Sequence, residues 1–119
     1  KERARQAMRR IVATSLPRTE ATITFTDGYP AMPPSDGNLA LFERLSEVSV
    51  DLGQGPLTRV DPGRRGAADI SFVGAFAPSL AGLGPVGTNL HAEGETVDLA
   101  SIPIVTKRLA ILIHRLSRP

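Results

Sequence analysis

Apolar and polar positions along the chain fall into blocks of different period. Ala4, Ala7, Met8, Ile11 and Val12 recur at helical spacing, which predicts an amphipathic helix over residues 2–14, ended by Pro17. The pattern then changes to alternation. In "EATITFTDGYP" Ile23 and Phe25 fall on one face and Thr22, Thr24 and Thr26 on the other, the pattern of a half-buried strand stopped by Asp27-Gly28. "YPAMPPSDG" breaks both periods. It reads as a proline-rich connector and divides the chain into two expected units, residues 1–33 and 34–119.

Beyond the connector, Ser35 or Asp36 can cap a second helix. Leu39, Phe42, Leu45, Val48 and Leu52 line one of its faces, and Gly53 suits the position just past its end. A short strand is expected over Leu57 to Val60, and a buried one over Leu80 to Val86. Between them "DPGRRGAADISFVG" is a glycine-flanked turn running into an apolar segment. Asp98 or Ser101 can cap a last helix with Pro103 in its first turn, where proline is tolerated. Ile104, Val105, Leu109, Ile111, Leu112, Ile113 and Leu116 cover too much of its circumference for one narrow stripe. Such a helix is expected to pack against a sheet larger than this chain supplies.

At 119 residues, with 41% apolar and 22% charged residues, the composition is that of a globular protein with a modest core. Aromatics are only 4% and tryptophan is absent, so Leu, Ile, Val and Ala must build that core. Without cysteine there are no disulfides and no thiolate metal sites, which leaves cytoplasmic, periplasmic and secreted settings open. The net charge is +2, yet Lys1, Arg3, Arg5, Arg9 and Arg10 crowd the first turns against Glu2 alone. With no aromatics interleaved and no stretch of membrane-spanning length, this is read as the solvated face of a helix. Neither a nucleic acid nor a membrane is expected as partner. The chain begins inside a helical pattern with no initiator Met and no signal peptide, and is expected to be a piece of a longer protein.

Candidate chemistry is sparse. His91 lies in "GPVGTNLHAEGETVDL", a glycine-punctuated loop, with Glu95 four residues on. A loop histidine of this kind is a hydrogen-bonded surface residue or a ligand, and zinc needs three or four ligands where this chain has two histidines. Co-ligands must then come from elsewhere. His114, beside Arg115 and Arg118, suits a helix C-terminus. Asp69 after Gly66-Ala67-Ala68 begins or caps a helix, or marks a turn approaching a substrate. Arg64 and Arg65 form a solvated turn or receive an anion. No nucleophile–base pair and no phosphate-binding glycine loop is present.

In order, these pieces resemble the C-terminal third of the co-catalytic zinc peptidases: glutamate carboxypeptidase, acetylornithine deacetylase, succinyl-diaminopimelate desuccinylase and aminoacylase. "ITFTDGYPAMPP" is similar to the family's lid strand and connector, and "GNLALFERLSEVSVDLG" to the helix that returns to the catalytic domain. "GAADISFV" matches a Gly-x-x-Asp turn, "GLGPVGTNLHAEGETVDL" the loop with a histidine before E-x-V-D-L, and "ASIPIVTKRLAILIHRL" the closing helix. The likeness spans essentially the whole chain, and glutamate carboxypeptidase is the nearest subgroup.

The resemblance implies an α/β fold. Residues 1–33 would be the C-terminal half, helix then strand, of an α+β lid and dimerisation domain, and residues 34–119 the C-terminal part of a catalytic domain with a helix-flanked sheet. It implies that His91 ligates one of two zinc ions, that Gly66 and Asp69 lie near substrate, and that Glu95 and Asp98 support the loop leading into the last helix. The family's activity is hydrolysis of a peptide or N-acyl amino acid, releasing a C-terminal residue, by paired zincs that activate water. The other zinc ligands, the catalytic glutamate and the substrate-binding lid arginine are not in this sequence. No catalytic residue is therefore expected here, and the chain alone should be inert. Its expected partners are the N-terminal remainder of the same protein and a second copy through the lid. The alternatives are a deacylase of the same family and a non-enzymatic association module keeping the lid strand and terminal helix.

Overall fold

The computed structural model describes residues 1–64 and 66–118. Helix α1 spans Glu2–Ala13, α2 Asp36–Asp51 and α3 Ser101–Leu116; Pro62–Arg64 and Asp69–Phe72 form single 3₁₀ turns. A minimal antiparallel hairpin joins β1 (Gly87–Thr88) to β2 (Thr96–Val97), with Gly87 opposite Val97 and Thr88 opposite Thr96.

Helix α2 starts where its capping chemistry puts it. The Ser35 hydroxyl accepts from the Asn38 amide at 3.2 Å, satisfying an amide that has no intrahelical partner. It stops at Leu52, followed by Gly53 at φ +70°, the left-handed conformation that glycine adopts without Cβ strain. The core lies between α2 and α3, where Leu45, Val48 and Leu112 are buried and Leu41, Leu52, Leu57, Leu80, Leu83, Leu109 and Ile111 pack around them. Buried polar groups beside it are mostly paired. Asn38 Oδ1 accepts from the Ser79 amide at 2.7 Å, and Ser46 Oγ from the Leu57 amide at 3.1 Å. Ser49 Oγ is buried without a partner among the described residues. At the edge of the core, Arg108 donates twice to Gln54 Oε1 and Arg115 pairs with Asp51.

Helix α1 packs against no other helix or strand among the described residues. What it meets is the segment after it. Asp27 pairs with both Lys1 and Arg5, while the Arg5 and Arg9 guanidinium groups sit 5.1 and 5.2 Å from the Phe25 ring centroid. The resulting molecule is long and thin, 66 × 39 × 19 Å with a radius of gyration of 20.3 Å. A compact chain of this length would have a radius near 13–14 Å.

Three expected strands differ from the structure. Residues Thr22 to Thr26 keep the alternation, Ile23 and Phe25 half-buried between exposed threonines, but have no ladder partner among the described residues. Leu57 to Val60 is irregular, its first amide turned to the Ser46 hydroxyl and not to a neighbouring strand. Leu80 to Val86 is also irregular, because Gly82 at φ +72° breaks the extended run and only Leu80 and Leu83 turn inward. The sheet expected beneath α3 is absent among the described residues: α3 buries Leu112 on α2 and leaves Ile113 64% exposed. The helix itself begins at Ser101 without a side-chain cap on its first amides, and Asp98 acts one turn earlier.

Candidate functional site

His91 sits at the tip of the β1–β2 hairpin, and close backbone approach builds that hairpin. A Cβ on Gly87 would lie 2.6 Å from the Thr96 carbonyl oxygen, so the strands can pair only with glycine at this position. Across the pair the Thr88 and Thr96 hydroxyls are 2.6 Å apart, and the Asp98 amide donates to the Val86 carbonyl at 2.8 Å. Between the strands the chain turns tightly, with Ala92 N–H donating to Asn89 O and Glu95 N–H to Ala92 O.

Asn89, His91 and Gly94 all have left-handed backbones, at φ +54°, +63° and +77°. Asn and His are among the non-glycine residues that enter this region most readily. At Asn89 and His91 the conformation costs about 1 kcal/mol each, whereas Gly94 adopts it without strain. The His91 side chain is exposed and makes no hydrogen bond among the described residues, so neither ring nitrogen is committed.

The hairpin is tied to α3 through one short network. Asp98 Oδ1 accepts from the Ala100 amide at 2.9 Å. The Ser101 hydroxyl donates to Asp98 O at 2.6 Å and accepts from the Val86 amide at 2.9 Å. Asp98 therefore occupies the junction between loop and helix, whereas the Glu95 side chain is exposed and makes no hydrogen bond among the described residues.

The other candidate residues lie elsewhere. Gly66 is exposed with open space around it, and Asp69 opens the 3₁₀ turn Asp69–Phe72. Its Oδ1 accepts from the Tyr29 hydroxyl at 2.9 Å, and this acceptor raises the tyrosine's pKa by favouring the neutral phenol. No hydrogen bond joins Asp69 to His91 among the described residues. Sequence reasoning missed Tyr29 here, since nothing local signals a partner forty residues away. His114 lies in the last turn of α3, where its hydrogen-bond partner is the Ser117 hydroxyl, donated to its main-chain oxygen. Arg64 ends the first 3₁₀ turn and is exposed, and Arg65 is outside the described residues.

Among the described residues no group of three or more His, Asp or Glu side chains could hold a metal ion. His91 fits zinc as one ligand of a set and no more, so the residues present do not by themselves make a zinc site. No described helix is long and apolar enough to cross a membrane. Comparison of the chain with family models, with curated proteins and with solved structures finds no match.

Proposed function

We propose that this chain is the C-terminal part of a zinc-dependent amide hydrolase of the carboxypeptidase and deacylase type. In this reading His91 is its single contribution to a two-zinc site whose other ligands lie on the N-terminal part of the same protein. The substrate would be a peptide or N-acyl amino acid releasing a C-terminal residue, glutamate in the nearest subgroup. The observation that carries the reading is the display of His91: a strained, glycine-dependent hairpin holds an uncommitted imidazole in the open, directly before α3. A second support is the apolar surface left on α3 and its approach, where Leu99 is 71%, Ile113 64% and Val86 61% exposed. A sheet contributed by the rest of a catalytic domain would cover such surface. In this reading the groups that activate water and protonate the leaving group lie on the N-terminal part of the same protein.

The test is hydrolysis by the protein expressed from its whole reading frame. His91→Ala should remove most amide hydrolysis of an N-acyl-glutamate while circular dichroism stays unchanged, because an exposed loop side chain is lost and not a core one. Full activity in that variant would overturn the reading, as would a start codon at Lys1. The open apolar surface also favours a second reading, an association module without enzymatic activity. A stable complex formed by the chain alone, with no hydrolase sequence upstream, would select it.

A further inference from the structure

We infer that Tyr29 and Met32 form a clasp that sets the orientation of residues 1–28 relative to the α2–α3 unit, with Gly28 as its pivot. The inference holds whether or not His91 serves a zinc site. Among the described residues a single hydrogen bond joins residues 1–33 to the rest of the chain, from the Tyr29 hydroxyl to Asp69 Oδ1. Two further contacts across this division lie beside it. The Tyr29 ring lies 5.4 Å from that of Phe72, tilted by 54°, and Met32 fills the space beside Gly74, where a Cβ would fall 2.8 Å from Met32 Cγ.

On the other side of Gly28 the chain is held by a different partner. Asp27 is fixed to α1 through Lys1 and Arg5. One residue thus separates a side chain tied to the first helix from a side chain tied to the Asp69–Phe72 turn. Gly28 has nothing within 4 Å of a notional Cβ and no side chain to restrict its rotation. The connector itself is stiff, since Pro30, Pro33 and Pro34 lock φ and push the residues before them into extended conformations. Rotation about Gly28 would swing residues 1–27 as a body. Release of Tyr29 and Met32 would free the connector as well.

The chain has no cysteine, so spin labels can be placed without background. Arg10→Cys on α1 with Lys107→Cys on α3 reports the orientation by pulsed dipolar spectroscopy on the full chain. Glu43→Cys with Lys107→Cys reports whether the α2–α3 unit keeps its fold. The clasped protein should give one dominant distance for the first pair. Tyr29→Phe, which removes only the hydroxyl, should raise the open population about fivefold relative to the clasped one, the scale of one hydrogen bond. Gly74→Ala, which displaces Met32, should act in the same direction, and the second pair should not change in either variant. An unchanged first-pair distribution in both variants would overturn the clasp. So would a wild-type distribution already as broad as theirs.

Discussion

The two ends of this molecule are held by different physics. In α2 and α3 three apolar side chains are buried, and the buried polar atoms around them are nearly all paired. In α1 no residue is buried; it meets Phe25 and Asp27 through the Arg5 and Arg9 guanidinium groups, and Lys1, just before the helix, also pairs with Asp27. Burial of apolar area is not weakened by simple salt or mild acid, whereas exposed charge pairs are weakened by both. The contrast separates a part of the chain held by a buried apolar cluster from a part that relies on a few charges and a clasp.

The strongest way to break the contrast is through the core. Leu112→Ala or Leu45→Ala should cost about 3 kcal/mol in urea unfolding followed through α2 and α3, leaving the α1–Phe25 contact as it was. An equal loss at both ends would mean that they fold as one unit. Gly87→Ala comes next, because its Cβ would collide with the Thr96 carbonyl. The hairpin should open at a cost of about 1–3 kcal/mol, seen as lost hydrogen-exchange protection at Asp98, whose amide bonds across it. Ser35→Ala removes a helix cap and should destabilise α2 by about 1 kcal/mol.

The smallest expected effect sharpens the contrast from the other end. Arg5 and then Lys1 hold the Asp27 carboxyl down at about 2, against an ordinary value of 3.8. Between these values the free carboxylate takes up a proton before the paired one does. The stabilisation is therefore whole above pH about 4 and is lost as the pH falls through about 2. Nuclear Overhauser contacts between Arg5 and Phe25 should fade over that window while α2–α3 contacts persist. Asp27→Asn should remove the pH dependence, and about 1 M salt should weaken the same contacts.

Elements governed by neighbouring residues were legible in the sequence. The hydroxyl of Ser35, the apolar period through Leu45 and Val48, and Gly53 together define α2 within the chain's own local chemistry. Elements that need a distant partner were not. Thr22 to Thr26 alternates as a strand should, yet alternation says nothing of what lies alongside, and no described neighbour pairs with it. The run Leu80 to Val86 looks apolar enough to be buried, but its glycines allow the turn at Gly82 that prevents it. At the candidate site, the glycines around His91 announced a tight loop, while the hairpin strands are too short to show a period. The Tyr29–Asp69 bond left no local trace at all.

The proposed role of His91, one ligand of a zinc site completed by residues outside this chain, is open to direct test. The direct measurement is the zinc content of the protein expressed from its whole reading frame, with and without His91→Ala. About two zinc ions per chain are expected in the wild type and a loss of about one in the variant. Undiminished zinc in the variant, or none in the wild type, would contradict it.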